Sequence, residues 1–201
     1  MGLLWGQSPS NTFFFTYRIK RLSHERYTCM RQPRQLSEGA RYHVTARINR
    51  KEMLLDSASV RELFLSTVTR AKKKYRFRIW NFSIMGNHIH FLIEPRTGES
   101  LSAIMRWILG VFATLYNRKN GLSGHVWGER FHSRILAGFR AFVLAFAYID
   151  ANPLNAGIVV RAYEWRQSGI WHDRQGCRDI TDEAPDWLRL QFPDHVIGVL
   201  P

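Results

Sequence analysis

The sequence has 201 residues, 45% of them hydrophobic, which is enough for one packed domain and excludes a chain that is disordered throughout. The formal net charge of +13 predicts a polyanionic partner, nucleic acid before membrane. Cys29 and Cys177 have no metal-type spacing and favour a reducing compartment. The longest apolar stretch, residues 104–116, is too short to span a bilayer, so we expect a cytoplasmic protein with no membrane partner.

Charge and hydrophobic pattern divide the chain into three parts. Residues 1–40 show no sustained period and are expected to form an N-terminal extension. Residues 41–169 contain the periodic segments and form the predicted domain. Residues 170–201 carry six acids against three arginines, and we expect this acidic C-terminal tail to fold over the basic surface and weaken nonspecific binding. Four apolar residues predict that the tail docks: Trp187, Leu188, Leu190 and Phe192.

The first half of the predicted domain contains a strand, a helix and a second strand. Alternation over residues 42–48 predicts the first strand. Ser59, with Glu62 three residues later, predicts a capping box for a helix that ends in the lysines at 72–74. Alternation over residues 77–85 predicts the second strand. One face of that strand is expected to hold Phe77, Ile79, Asn81 and Ser83.

The second half contains a third strand, a helix, a fourth strand and a last helix. Helical spacing predicts a helix over residues 100–119, residues 131–138 fit a fourth strand, and a last helix is predicted over 139–152, ended by Pro153. The order predicts an α+β fold, a ferredoxin-like βαββαβ sandwich with an added C-terminal helix. The buried stripe of the last helix is expected to hold Phe139, Phe142, Val143, Phe146 and Ile149.

The segment MGNHIHFLIE, residues 85–94, predicts the third strand, entered by a tight turn at Gly86 and Asn87. Alternation places His88 and His90 on one face. Two neutral imidazoles held side by side can bind one metal ion, although two histidines can also alternate on a strand without any ligand. The opposite, buried face is expected to hold Ile89, Phe91 and Ile93.

The last helix carries two polar residues that could complete a site beside these histidines. Tyr148 and Asn152 are four residues apart and therefore lie on one side of the helix. A phenol has a reference pKa of about 10, and a divalent ion with neutral ligands would favour its phenolate and polarise a scissile phosphate. Taken alone, Tyr148 fits a core tyrosine near a helix end better, and only its combination with the histidine pair favours a catalytic role.

Four motifs in order resemble the single-tyrosine HUH transposases, in particular the REP-associated tyrosine transposase branch. They are YHVT at 42–45, MGNHIHFLIE at 85–94, GERFHSR at 128–134 and YIDANPLNAGIV at 148–159. The resemblance covers about residues 31–165.

The resemblance implies a metal-dependent DNA endonuclease and strand transferase that acts beside DNA hairpins on single-stranded DNA. It implies that His88 and His90 bind a divalent metal, Mg²⁺ or Mn²⁺, and that Tyr148 forms a 5′-phosphotyrosine. Asn152 is then the expected third ligand. A homodimer is possible, because the sequence leaves open whether the helix serves its own subunit or a partner's.

Two positions depart from the family pattern. Ile48 stands where the family usually has glycine in RGN, and Gly86 stands where proline is usual before NHIH. In addition, MRQPRQL at Met30 resembles the usual family start, so residues 1–29 are expected to be an upstream extension.

Basic residues near the predicted site are candidate phosphate contacts, which give salt-dependent affinity with little sequence selection. The expected DNA-binding set is Arg47, Arg50, Lys51, Arg78, Arg118, Lys119, Arg130 and Arg134, with Lys72, Lys73, Lys74 and Arg76 as further candidates. Base stacking or core packing is expected for Trp80, Trp127 and Phe131. Extra polar site residues could be His43, His125 and His132.

Two other functional classes fit the same features. A ferredoxin-like sheet with basic surroundings and aromatic residues also describes nonenzymatic nucleic-acid-binding modules. A family member domesticated as a repressor is the other alternative. Formation of a covalent protein–DNA adduct distinguishes the enzyme from both.

Overall fold

A computed structural model of the protein describes residue 37 and residues 39–193. A four-stranded sheet with the order β2-β3-β1-β4 forms the centre, and every neighbouring pair is antiparallel. This order and the helices between the strands confirm the predicted ferredoxin-like sandwich. The strands are β1 Tyr42–Arg47, β2 Phe77–Ile84, β3 His88–Pro95 and β4 His132–Ile135.

Helices cover the two faces of the sheet unequally. Helices α1 and α2 pack on one face, and α3 packs on the other. Among the described residues, none of the helices combines the length and the hydrophobicity that a transmembrane span requires. The helices are α1 Ala58–Lys74, α2 Leu101–Asn120, α3 Gly138–Asn155, α4 Gly169–Arg174 and α5 Asp186–Gln191.

Strand β3 separates two hydrophobic cores by strict alternation. Ile89, Phe91 and Ile93 are fully buried against α1 and α2, as predicted. Leu92 points to the opposite side and is buried with Phe142 and other residues under α3. The histidines share the face of Leu92, so they lie on the side of the sheet that carries α3.

Helix α2 follows its sequence signals, whereas α1 begins differently from the prediction. The Ser100 hydroxyl accepts the amide of Ala103, and Gly121 ends α2 in a left-handed conformation. The predicted capping box at Ser59 and Glu62 is wrong, because α1 already begins at Ala58, preceded by a residue whose side chain makes no cap.

The predicted faces of β2 are correct through its fourth residue, Trp80, and wrong from Asn81 onward. The pairing of β2 with β3 shifts between Ile79 and Asn81, where one extra residue forms a β-bulge. Past the bulge, Phe82 and Ile84 join the core under α1 and α2. The bulge therefore turns the buried side chain of Asn81 toward α3, where its amide donates to the carbonyl of Phe146.

The last long helix continues past Pro153, which was predicted to end it. Proline removes only its own amide from the helical bonding, and α3 runs to Asn155. Just past the helix, Gly157, with φ +67°, closes its end: the amide of Gly157 donates to the carbonyl of Leu154, and the amide of Ile158 donates to that of Pro153. This is a Schellman motif, which requires the left-handed glycine.

Two members of the predicted buried stripe of α3 are not buried. Phe139 is 58% exposed and Val143 is only half-buried. Phe142, Phe146 and Ile149 are buried as predicted. The first turn of α3 thus projects beyond the edge of the core. Instead, the ring of Phe139 contacts the ring of Trp187 in the tail.

The described part of the tail, residues 170–193, docks on the domain. Leu188 is buried under α3, and Phe192 lies against Phe146, with ring centroids 4.6 Å apart. Leu190, also predicted to dock, is 85% exposed. The Asp182 carboxylate accepts from the Lys72 ammonium at 2.5 Å, so this acid neutralises a cation of α1. The predicted N-terminal extension lies outside the described residues, except for positions 37, 39 and 40.

Candidate active site

The two histidines of β3 lie side by side near the beginning of the strand. The ring centroids of His88 and His90 are 4.9 Å apart, and the rings are nearly perpendicular. The His90 side chain is buried, whereas His88 is half-buried. The strand thus holds two imidazoles close together, one deep and one nearer solvent.

Each imidazole uses its Nδ1 atom for a hydrogen bond within the protein. His88 Nδ1 lies 2.7 Å from Asn87 Oδ1. His90 Nδ1 lies 2.9 Å from His43 Nε2 and 3.2 Å from Thr45 Oγ1, both on the adjacent strand β1. His90 Nε2 is buried, and among the described residues it has no hydrogen-bond partner. The deeper ring therefore carries an orphaned nitrogen.

All three imidazoles of the site are held neutral at pH 7. Burial, together with the cation of Arg47, lowers the pKa of His88 to about 4, and burial together with Arg134 does the same for His43. Burial and the neighbouring imidazoles lower the pKa of His90 well below its usual value. A neutral imidazole keeps the lone pair with which a metal ligand binds.

Tyr148 extends from α3 toward these rings. Its ring centroid is 5.6 Å from that of His90 and 5.6 Å from that of His43, in edge-on contacts. The side chain is 45% exposed, so the phenol is open to solvent while its ring borders the histidines. Asn81 Nδ2 donates to Asp150 Oδ1 at 2.8 Å and so fixes the helix at this level.

Asn152 lies one helical turn after Tyr148. Its Nδ2 donates to the carbonyl of Tyr148 at 2.8 Å, which leaves the amide oxygen as an acceptor. None of the contacts among the described residues joins Asn152 to His88 or His90. The helix thus brings Tyr148 to the histidines, and the predicted third ligand stays a prediction.

The donor set fits a divalent metal ion. The orphaned Nε2 of His90 is buried beside the His88 ring, and buried polar atoms of this kind normally have a partner. Imidazole nitrogens suit Mg²⁺ less well than Mn²⁺ or other first-row metals. Within the described residues, no three His, Cys, Asp or Glu side chains are grouped as a metal site.

The predicted DNA-binding cations are distributed over several parts of the surface. Arg47 and Arg134 lie close enough to the histidines to lower their pKa values, and Arg50 and Lys51 form an exposed turn directly after β1. Arg78 stacks on the Trp80 ring at the other end of β2. Three more predicted cations are exposed elsewhere: Arg118, Lys119 and Arg130.

The aromatic candidates for base stacking belong to the protein core. Trp80 and Phe131 are buried, and Trp127 packs against Phe64 with its Nε1 donating to the carbonyl of Leu109. Core packing, the alternative considered for each, is therefore their role.

Two further histidines, His125 and His132, are exposed, and His132 pairs with Glu129.

Three residues of the site had no predicted role in it. Asn87 was predicted only as a turn residue, Thr45 only as part of a strand, and Asn81 on the wrong face. The register of β1 against β3, which pairs Thr45 with His90, is not readable from either strand alone. An amide directly before a His-x-His pair is the one signal that the sequence does carry.

Residues 37–152 match the sequence family described as "Transposase IS200 like". The match covers more than half of the chain and includes the histidine pair, Tyr148 and Asn152. The protein belongs to the IS200-like transposase family. Transposases cut and rejoin DNA strands, so the chain is a DNA-processing enzyme by family. A search of curated proteins found no match.

Solved structures give an independent comparison of the fold. One, titled as a REP-associated tyrosine transposase bound to a REP hairpin, is 21% identical, with a TM-score of 0.62 over 82% of this chain and 93% of that one. A crystal structure of a candidate transposase from Deinococcus radiodurans R1 is 12% identical, covers 59% of this chain and 96% of that one, and has a TM-score of 0.40. The first likeness agrees with the fold described above.

Proposed function

We propose that this transposase is a metal-dependent single-strand DNA endonuclease and strand transferase of the REP-associated branch, acting beside DNA hairpins through a covalent 5′-phosphotyrosine at Tyr148. His88 and His90 hold the divalent ion, Mg²⁺ or Mn²⁺, with Asn152 as the third ligand. When bound, the ion polarises the scissile phosphate and favours the phenolate.

The observation that carries this proposal is the position of Tyr148. Its ring lies 5.6 Å from that of His90, on the sheet face that carries the orphaned Nε2. A tyrosine placed for core packing would be buried, whereas this one is 45% exposed. A solvent-exposed phenol beside two neutral imidazoles is the arrangement that the reaction requires, because the nucleophile would lie next to a phosphate bound to the metal ion.

The proposed reaction exchanges one phosphate ester for another. The Tyr148 oxygen forms a bond to phosphorus, and the bond from phosphorus to the 3′ oxygen of the neighbouring nucleotide breaks. The phenol loses a proton and the leaving 3′ oxygen gains one, so charge is balanced. A 3′ hydroxyl can later attack the phosphotyrosine and rejoin DNA without an external energy source.

Hairpin DNA is the proposed substrate class. The REP-associated transposase that shares this fold is bound to a REP hairpin. In this chain Arg47 and Arg134 act electrostatically on the histidines, and the carbonyl of Lys51 in the Arg50–Lys51 turn is bonded to Asn87 beside them, so positive charge that suits phosphates lies near the site. The proposed set of DNA-binding residues is completed by Arg78, Arg118, Lys119 and Arg130.

A covalent adduct tests the proposal. Incubation with hairpin DNA that carries a single-stranded flank, in Mg²⁺ or Mn²⁺, should give a protein–DNA band that survives denaturing electrophoresis. Tyr148→Phe should abolish the band and His88→Ala should strongly reduce it, because the first removes the nucleophile and the second a metal ligand. Tyr116→Phe, on α2 at the opposite face of the sheet, is the matched control and should leave the band unchanged.

The contrary result is also informative. If the protein binds the hairpin but forms no adduct with either metal, the nonenzymatic module becomes the better description. An adduct that persists in Tyr148→Phe would assign the nucleophile to another residue.

A further inference from the structure

The turn between β2 and β3 is clamped by the loop that follows β1. The amide of Ile48 donates to the carbonyl of Asn87 at 2.8 Å, and the amide of Leu55 donates to the carbonyl of Gly86 at 2.8 Å. A side chain at Gly86 would overlap Asp56 and Met53, so the loop also covers the turn sterically. The position of Asn87, which immediately precedes His88, is thus fixed through its backbone.

The side chain of Asn87 makes two hydrogen bonds, and the donor in the first determines which partner donates in the second. Its Nδ2 lies 3.1 Å from the carbonyl oxygen of Lys51, and its Oδ1 lies 2.7 Å from His88 Nδ1. A backbone carbonyl only accepts hydrogen bonds, so the amide nitrogen must face it. The amide oxygen, which also only accepts, then faces His88, and His88 Nδ1 must carry the proton.

We propose that Asn87 is a positioning residue that holds His88 as the Nδ1–H tautomer, with the Nε2 lone pair presented to the metal, and that ties this ligand to the Arg50–Lys51 turn. The inference deepens the proposed function, because it concerns a ligand of the proposed metal. Partners of this kind fix ring orientation and tautomer in metal sites generally.

The hydrogen bond from the Asn87 side chain to the carbonyl of Lys51 supports a strained segment of backbone. Arg50 has φ +52° and Lys51 has φ +60°, a left-handed conformation that side chains other than glycine rarely adopt. Such geometry persists only where surrounding contacts hold it. The bond from Asn87 to the carbonyl of Lys51 is one of these contacts, so one amide links the proposed phosphate-binding turn to the metal ligand.

Two substitutions at Asn87 separate its two roles. Asn87→Ala removes both side-chain bonds, whereas Asn87→Asp keeps an acceptor for His88 Nδ1 and removes the donor to Lys51. Asn87 is outside the left-handed region, and its backbone bond to Ile48 does not depend on the side chain, so both variants should fold.

Ring-nitrogen NMR of ¹⁵N-histidine-labelled full-length protein, without metal or DNA, gives the direct readout. The wild type and Asn87→Asp should show His88 as the Nδ1–H tautomer, and Asn87→Ala should shift it toward the Nε2–H form. An Nε2–H tautomer in the wild type, or an unchanged His88 in Asn87→Ala, would overturn the inference.

Metal binding and hydrogen exchange test the consequences. Asn87→Ala should weaken Mn²⁺ binding about 10- to 100-fold in calorimetry, and Asn87→Asp should restore it. The backbone amides of residues 51 and 52 should exchange with solvent faster in both variants, because both lose the side-chain bond to the Lys51 carbonyl. Unchanged exchange rates would refute the proposed link between Asn87 and this turn. Because the NMR readout needs neither metal nor DNA, it stands or falls separately from adduct formation.

Discussion

His43 Nε2 lies 2.9 Å from His90 Nδ1, and the two rings stack with centroids 5.2 Å apart. If His90 uses its orphaned Nε2 for a metal, its Nδ1 carries the proton and donates it to His43. His43 then accepts a hydrogen bond from His90 Nδ1, just as Asn87 accepts one from His88 Nδ1. Both proposed ligands are thus oriented by a neighbouring side chain.

Loss of His43 should therefore weaken metal binding. In His43→Ala we expect the affinity for Mn²⁺ to fall about 10- to 100-fold, because the His90 ring loses the nearer of its two Nδ1 partners and keeps only the Thr45 hydroxyl. Isothermal titration of the full chain measures this directly. His125→Ala, which changes an exposed histidine, is the control and should bind as the wild type does. Equal affinities in the two variants would argue against a positioning role for His43.

Stability should decline in mild acid. In the folded state the pKa values of His43 and His88 are about 4, against 6.5 for an ordinary histidine. Between these values the unfolded chain binds more protons than the folded one, so the free energy of unfolding falls as pH drops from about 6.5 toward 4. Above pH 6.5 both states are neutral at these sites, and this contribution no longer changes with pH.

Urea denaturation of the metal-free protein at several pH values measures this dependence. His88→Asn removes one titrating group and should flatten the decline between pH 6.5 and 4. A decline of the same steepness in His88→Asn would contradict the low folded-state pKa of that imidazole.

The Arg50–Lys51 turn should be stabilised by glycine. At Lys51, with φ +60°, alanine keeps the steric conflict of a side chain and glycine removes it. We expect Lys51→Gly to be more stable than Lys51→Ala by about 1 kcal/mol. Since both variants lose the same charge, the difference in their urea midpoints reports the backbone alone. An equally stable pair would mean that the turn relaxes readily.

The active site should be assembled within one chain. Tyr148 and His90 of the same chain are already in ring contact, so no exchange of α3 with a second copy is needed. A mixture of Tyr148→Phe and His88→Ala proteins should therefore form no more adduct than the more active of the two alone. Recovery of adduct in the mixture would indicate that α3 is exchanged between subunits.

The histidine face of the site could be predicted from sequence because β3 is an unbroken strand. Alternation alone placed His88 and His90 opposite Ile89, and the structure buries Ile89 completely. The glycine that the family has in place of Ile48 is not required here, since Ile48 is extended and buried. The left-handed residues come two and three positions later.

The errors in prediction arose where one local rule was overridden by another. The bulge at Asn81 reversed the faces of β2, because a polar side chain bonded to α3 replaced simple alternation. Proline normally disrupts a helix and so predicts the end of α3 at Pro153, but α3 runs to Asn155 and is closed by the Schellman motif at Gly157. The role of Thr45 depends on the pairing of β1 with β3, and the link from Asn87 to Lys51 depends on how the loop after β1 folds, so neither is encoded in a single segment.

Identification of the residue joined to DNA tests the central claim most directly. After reaction with hairpin DNA and Mn²⁺, trypsin and nuclease digestion should leave a nucleotide on the peptide spanning residues 141–161, and fragmentation should place its phosphate on Tyr148. A phosphate linked to any other residue, or an unmodified peptide in a reaction that cuts DNA, would contradict the account.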